Sequence, residues 1–120
     1  MEEIRSILKS KREYEAEYVY LDNLLKNMKQ ESTVKQQERF LFLKARLTCI
    51  ESWMALLPED EALVTKRHLI DGIDIPRIVI EYQERWGIEF GKTERTIKMY
   101  QRRALQRIMA FEEKKKNLLE

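Results

Sequence analysis

Basic side chains recur at helical spacing near the end of the chain, where their chemistry is the binding of anions. Arg95, Lys98 and Arg102 follow at intervals of three and four residues, which places them on one face of a helix. Residues 91–120 carry nine basic and four acidic side chains. A cationic helix with an apolar opposite face matches the major groove of B-DNA in width and sign. A solvated charged face is the alternative explanation.

The cationic helix needs an apolar back and a defined start. Thr93 is a suitable cap, and apolar residues recur on the other face at Ile97, Tyr100, Ala104, Ile108 and Phe111. Two shorter helices are predicted upstream. Pro58 and the acids after it begin the first, which Asp71-Gly72 ends. Asp74 can cap the second, although the β-branched run 78–80 leaves a strand as the alternative.

Residues 1–57 contain no Gly or Pro, and their apolar side chains form two seams with alternating spacings of three and four. Such seams predict two long helices. The first seam is Ile4, Ile7, Lys11, Tyr14, Tyr18, Leu21, Leu25 and Met28; the second is Phe40, Leu43, Leu47, Ile50, Met54 and Leu57. Thr33 and Gln36 fit a capping box between them. We expect an antiparallel α-hairpin or coiled coil, which contacts itself, a second copy or another protein.

Composition points to an all-α chain, because 120 residues with 43% hydrophobic and 37% charged side chains include few turn formers. This length allows one compact domain or two very small ones and excludes a large enzyme. Cys49 has no partner for an intramolecular disulfide. No apolar run approaches the roughly 20 residues of a membrane span, and the acidic start lacks a cleavage site. We therefore expect a cytoplasmic protein without membrane contact.

Catalytic and metal-binding patterns do not emerge from the sequence. His68 is the single histidine and has no second imidazole or cysteine pair to complete a metal site. Glu112 and Glu113 are expected on charged surface rather than in a cleft that raises a carboxyl pKa. We expect no catalytic residue, no metal and no cofactor, and a protein that is not an enzyme.

Five sequence blocks resemble the helix-turn-helix in the fourth conserved region of bacterial sigma factors. They are Leu57-Pro58-Glu59-Asp60-Glu61, Ile70-Asp71-Gly72, Asp74-Ile75-Pro76-Arg77-Ile78, Thr93-Glu94-Arg95-Thr96-Ile97 and Arg103-Ala104-Leu105. The resemblance covers roughly residues 56–110 and is strongest toward small sigma-factor-like regulators of bacteriophages and prophages. It implies a C-terminal three-helix DNA-binding unit. One departure is an interval from Asp74 to Thr93 that is about eight residues longer than in the family, roughly two helical turns, which predicts an extension of the preceding helix through Trp86.

The resemblance also implies which residues contact DNA. In the family the first turns of the last helix read promoter bases, and Glu94, Arg95, Lys98 and Met99 hold the matching positions here. Arginine suits guanine, glutamate can accept from cytosine, lysine can reach guanine or phosphate, and methionine touches a thymine methyl or packs. The complete predicted set is Arg77, Lys92, Thr93, Glu94, Arg95, Thr96, Lys98, Met99, Arg102 and Arg103, with Arg77 as a phosphate contact and the last two arginines along the groove wall.

These observations predict a helical hairpin for dimerisation or partner binding over residues 1–57 and a helix-turn-helix DNA-binding domain over 58–120. The resemblance implies a transcriptional regulator of phage or prophage type that binds double-stranded DNA and activates late genes with bacterial RNA polymerase. We expect a homodimer through the N-terminal helices, because the seams offer a large apolar face and a single unit with about five phosphate contacts would bind DNA weakly. Two alternatives are kept. One is an adaptor that binds RNA polymerase without binding DNA, and the other is a phage DNA-packaging recognition subunit.

Overall fold

The computed structural model describes residues 1–27, 33–87 and 93–119, which are helical and contain no strand. Within these three ranges six α-helices follow one another: α1 (Glu2–Lys9), α2 (Lys11–Asn27), α3 (Val34–Leu56), α4 (Glu59–Thr65), α5 (Ile75–Trp86) and α6 (Glu94–Leu119). Helix α4 continues directly into a π-helical turn, Lys66–Ile70, that the sequence did not predict. The all-α prediction is confirmed, and the strand alternative for residues 78–80 is wrong.

The first apolar seam does not form the single helix that its spacing predicts. The chain turns at Ser10, where φ is −89° and ψ is 0°, and the Ser10 hydroxyl donates to the carbonyl oxygen of Ser6 at 3.0 Å. Helix α1 therefore leaves the path of α2. The physical reason is burial, because Ile4, Ile7 and Leu8 pack into the central core instead of continuing a seam that Lys11 interrupts.

Helices α2 and α3 lie side by side along an aromatic and an ionic contact. The rings of Tyr18 and Phe40 stack with centroids 5.0 Å apart, and Arg39 donates to both oxygens of Glu17 at 2.7 and 2.8 Å. The predicted capping box at the start of α3 is confirmed, since Thr33 Oγ1 accepts from the Gln36 amide. The last residue of the first seam, Met28, lies outside the described residues.

A glycine with positive φ lies on either side of α5. Gly72 has a φ of 72° in the turn before α5, and Gly87 has a φ of 88° immediately after Trp86. Only glycine adopts positive φ without steric cost. The predicted extension of this helix through Trp86 is confirmed, whereas the predicted side-chain cap is not: Asp74 occupies the cap position but makes no capping hydrogen bond.

Two groups of buried residues hold the helices together. The larger joins α1, α3, the π-helical turn and α6, and contains Ile4, Ile7, Leu8, Ile50, Trp53, Leu57, Leu69, Ile70, Ala104, Leu105 and Ile108. The smaller joins α4, α5 and the start of α6 through Val64, Ile75, Ile78, Tyr82 and Ile97. Each fully buried aliphatic side chain stabilises the fold by about 1.5–3 kcal/mol. Residues from both sides of Pro58 thus share the larger core.

Candidate nucleic-acid interface

Helix α6 is held in place by one buried face. Ile97, Ala104, Leu105 and Ile108 are fully buried, and the other face of the helix is exposed. The predicted inner face is therefore correct at three positions, whereas Tyr100 and Phe111 are half-buried. Leu105 and the buried polar residue Gln101 belong to this face and were not predicted. Both follow from helical spacing, since Gln101 lies four residues and Leu105 eight residues after Ile97.

The start of α6 is capped by the residue that the sequence indicates. Thr93 Oγ1 accepts from the Thr96 amide at 3.3 Å, and the two hydroxyl oxygens lie 3.2 Å apart. Glu94 begins the helix and is exposed. Thr93 and Thr96, both in the predicted DNA-binding set, therefore order the first turn of the helix. Lys92, another member of that set, lies outside the described residues.

The basic residues in the first half of α6 differ in whether they lie close to a carboxylate of the described residues. Arg95, Lys98, Arg102 and Arg103 are exposed, as is Met99 at 39%. Within residues 1–27, 33–87 and 93–119, none of those four cations lies within 4 Å of a carboxylate. Arg107 differs, because its Nε donates to the buried carboxylate of Glu61 at 2.8 Å. The exposed cations thus face solvent with no counter-ion among the residues that the structure describes.

An open groove of about 1080 Å³ runs along this basic face. Helix α6 forms one wall, which includes Glu94, Arg95, Lys98, Met99 and Arg102. The opposite wall is built from three separate elements: the start of α5, the π-helical turn and α1. Their lining residues are Ile75, His68, Arg5 and Met1. The structure thus brings residues from the beginning of the chain beside the predicted DNA-binding helix.

A hydrogen bond joins two residues that line the groove, one in the π-helical turn and one in α6. His68 Nδ1–H donates to Oε1 of Gln101, which is 7% exposed. His68 is half-buried, and its partner is an amide rather than a metal ligand. Among the residues that the structure describes, no group of three or more His, Cys, Asp or Glu side chains is arranged to hold a metal ion. His68 acts here as a structural contact between the π-helical turn and α6.

Arg77 projects from the first turn of α5 and is 65% exposed. Its nearest carboxylate oxygen, Glu81 Oε1, is 4.0 Å away and already accepts from Arg67 at 2.6 Å. The hydrogen bonds from Arg67 lower the pKa of Glu81, while burial acts in the opposite direction. The Arg77 guanidinium is therefore only weakly paired and can donate hydrogen bonds to a phosphate.

Asp71 connects the elements behind the groove, a role that sequence reasoning missed. Its carboxylate, 7% exposed, accepts from Arg12 of α2 and from Lys66 and Arg67 of the π-helical turn at 2.8–3.1 Å. Burial raises the pKa of Asp71, but these three hydrogen bonds outweigh it and leave the pKa below its ordinary value. The spacing of four residues between Arg67 and Asp71 was the available sequence signal.

Glu112 also departs from its expected surface position. It is half-buried, and its Oε1 accepts hydrogen bonds from the Trp53 indole at 2.5 Å and from Lys115 at 2.9 Å. The Cys49 thiol lies 3.6 Å from the same oxygen. Burial first, and the neighbouring carboxylate second, raise the pKa of Cys49. This cluster fastens α3 to the second half of α6.

Comparison with protein-family models, with curated proteins and with solved structures found no significant match to this chain. In the described ranges, no helix is sufficiently long and apolar to traverse a lipid bilayer.

Proposed function

We propose that this chain is a sequence-specific DNA-binding transcriptional regulator of phage or prophage type that acts with bacterial RNA polymerase, as an activator. The observation that supports the proposal most directly is the exposed basic face of α6. Arg95, Lys98, Arg102 and Arg103 have no carboxylate within ion-pair distance among the described residues, although many other basic residues of the chain are paired. DNA phosphates and guanine edges are the counterparts that such a face lacks.

The packing of α6 supports insertion into a major groove. Its buried face is anchored by Ile97, Ala104 and Ile108, so the opposite face stays presented to solvent. The helix is preceded by α5, which packs against the start of α6 through Tyr82 and Ile97. This arrangement fits a helix-turn-helix in which α4, α5 and α6 form the DNA-binding unit.

Individual side chains receive roles from their chemistry and position. Arg95 and Lys98 contact base edges, with Arg95 suited to a bidentate contact with guanine. Glu94, beside them, accepts from a cytosine amine. Arg102 and Arg103 follow the phosphates along the groove, and Arg77 contacts phosphate from the start of α5. Met99, the exposed residue that follows Lys98, touches a thymine methyl.

The paired helices α2 and α3 provide the second part of the proposal, a dimer interface. Large apolar side chains are exposed on them, including Val19, Tyr20, Val34, Leu41 and Phe42. A second copy that covers these residues would give two DNA-binding units in one particle, which raises affinity for a two-part site. Sedimentation of the purified protein at several concentrations measures this association.

A binding titration tests DNA recognition. Fluorescence anisotropy with 30-base-pair duplexes selected from a random pool should give an affinity that falls with salt, with a log–log slope of about −4 to −5 for about five phosphate contacts. Substitution of Arg95 and Lys98 by Ala should abolish the preference for the selected sequence over a scrambled one. The control replaces two exposed lysines of α3, Lys35 and Lys44, by Ala, and should bind as the unaltered protein does. Salt-independent binding, or equal loss in the control, would contradict the proposal.

The exposed apolar residues of α2 and α3 also favour a second candidate, an adaptor that binds RNA polymerase without DNA. The same double substitution distinguishes the two. If the unaltered protein binds no duplex but binds purified RNA polymerase, and replacement of Arg95 and Lys98 by Ala weakens that polymerase binding, the adaptor is favoured.

A further inference from the structure

Helix α1 lies against the proposed DNA-binding surface, although it belongs to the part of the chain that the sequence assigns to partner binding. Ile4, Ile7 and Leu8 are buried in the core that also contains Ala104 and Leu105 of α6. This burial fixes the rotation of α1 about its axis. Arg5 consequently lines the groove together with Arg102 of α6.

Among the described residues, the Arg5 guanidinium makes only a weak ion pair. Its one contact with a carboxylate of the described ranges is 3.7 Å long, from Nε to Glu2 Oε1, and the Glu2 side chain is 92% exposed. An exposed pair of this length contributes little to stability. Nε itself is buried without a hydrogen-bond partner in the described part of the chain, while the Arg5 side chain as a whole is 32% exposed. Arg5 is thus held by packing and free to receive an anion.

The width of the DNA major groove indicates which part of a duplex would enter the protein groove beside α6. An α-helix with its side chains is about 10–12 Å across, and the major groove is about 12 Å wide. A helix inserted there leaves no room beside it, so a phosphate strand must run directly along its flank. In this protein, one flank of α6 is the groove whose far wall contains Arg5, His68 and Ile75.

The charge of the groove agrees with that occupant. Arg5, Arg95, Lys98 and Arg102 line it, and Glu94 is the single acid among its described lining residues. An uninterrupted polyanion is the complementary partner of such a surface.

We propose that Arg5 binds a backbone phosphate of double-stranded DNA, so that α1 and α6 hold one strand between them. This inference rests on the proposed function, because it assumes that α6 enters the major groove. A contact of this kind fixes the position of the protein on the duplex without distinguishing sequences. It also assigns a DNA-binding role to a helix outside the sigma-like region of the chain.

The test compares Arg5→Gln with Lys9→Gln, which removes the same charge from an exposed residue of α1 that does not line the groove. Binding to the selected and the scrambled 30-base-pair duplex is measured by anisotropy across a salt series. Arg5→Gln should weaken both complexes about fivefold and make the salt slope shallower by about 0.9. Lys9→Gln should leave affinity and slope unchanged. Arg5→Lys, which keeps the charge, should retain the slope.

The possible results separate this proposal from the function on which it rests. If the unaltered protein binds neither duplex, both are overturned. If it binds and Arg95→Ala with Lys98→Ala abolishes sequence preference, but Arg5→Gln binds normally, only the Arg5 contact is overturned. Tighter binding by Arg5→Gln would show instead that α1 obstructs the duplex. Thermal unfolding followed by circular dichroism verifies that the variants are folded, and the charge-retaining Arg5→Lys distinguishes a lost contact from a lost fold.

Discussion

Arg107 and Glu61 form an ion pair between α6 and α4 in which the carboxylate is almost completely buried. Nε donates to Oε1 at 2.8 Å, and the Glu61 side chain is 6% exposed while that of Arg107 is 53% exposed. A buried carboxylate without its partner is costly. The pair therefore gives Arg107 a structural role, although the sequence places it among the cations of the DNA-binding helix.

Replacement of Arg107 by Ala is expected to lower the free energy of unfolding by about 1–3 kcal/mol, because Glu61 would remain buried without its charged donor. Urea unfolding measures the change. Arg103→Ala, one helical turn earlier at a residue with no ion pair in the described part of the chain, is the matched control and should stay within about 0.5 kcal/mol. DNA affinity should show the opposite order, because Arg103→Ala should weaken binding whereas Arg107→Ala should not. Equal stability of the two variants would refute this assignment.

Glu81→Gln is expected to destabilise the protein at pH 7 by about 1–2 kcal/mol, since it removes the charged acceptor of Arg67. The pKa of Glu81 is lowered from its ordinary 4.5, so the pair stabilises the fold above that value and is lost as the pH falls through the lower folded pKa. The difference from the unaltered protein should accordingly shrink below pH 4.5. Urea unfolding at pH 7 and in the acid range measures it.

Glu84→Gln serves as the control for that experiment. Glu84 lies on the same helix and is exposed. Its replacement should change stability by less than about 0.5 kcal/mol at either pH. A pH-independent loss in Glu81→Gln would point to packing rather than to the ion pair.

The Cys49 thiol should react slowly with iodoacetamide, because burial and Glu112 raise its pKa and reduce its thiolate fraction. Glu112→Gln keeps an oxygen for the Trp53 indole but removes the negative charge. We expect the pH midpoint of alkylation to move down and the rate at pH 8 to rise about threefold. Glu113→Gln, its exposed neighbour, should leave the midpoint unchanged. A midpoint unaltered by Glu112→Gln would mean that the carboxylate does not influence the thiol.

Local signals explain which parts of this fold could be predicted. The Thr33–Gln36 capping box and the Thr93 cap involve residues three apart, and the buried stripe of α6 follows helical periodicity. The turn at Ser10 could not be predicted in the same way. The seam before and after it has the spacing of one continuous helix, and only the distant core residues decide where α1 packs.

In the candidate site, too, some features follow from local spacing and others depend on contacts between distant residues. Exposure of Arg95 and Lys98 follows from helical spacing, because neither residue belongs to the buried stripe of Ile97, Ala104 and Ile108. The Arg107–Glu61 pair joins residues 46 apart in sequence, and no short-range spacing reveals it. Arg5 enters the groove only because α1 packs on α6, so its place beside the basic face required the three-dimensional structure.

The packing of α1 against α6 has a consequence for folding kinetics. Ile4 and Ile108 belong to one core although they lie near opposite ends of the chain. Closing a long loop costs conformational entropy before the contact stabilises the fold, so contacts between distant parts of a chain form slowly. The proposed strand-holding groove is therefore among the last surfaces to mature, and slow refolding of binding competence should follow the faster return of helical signal.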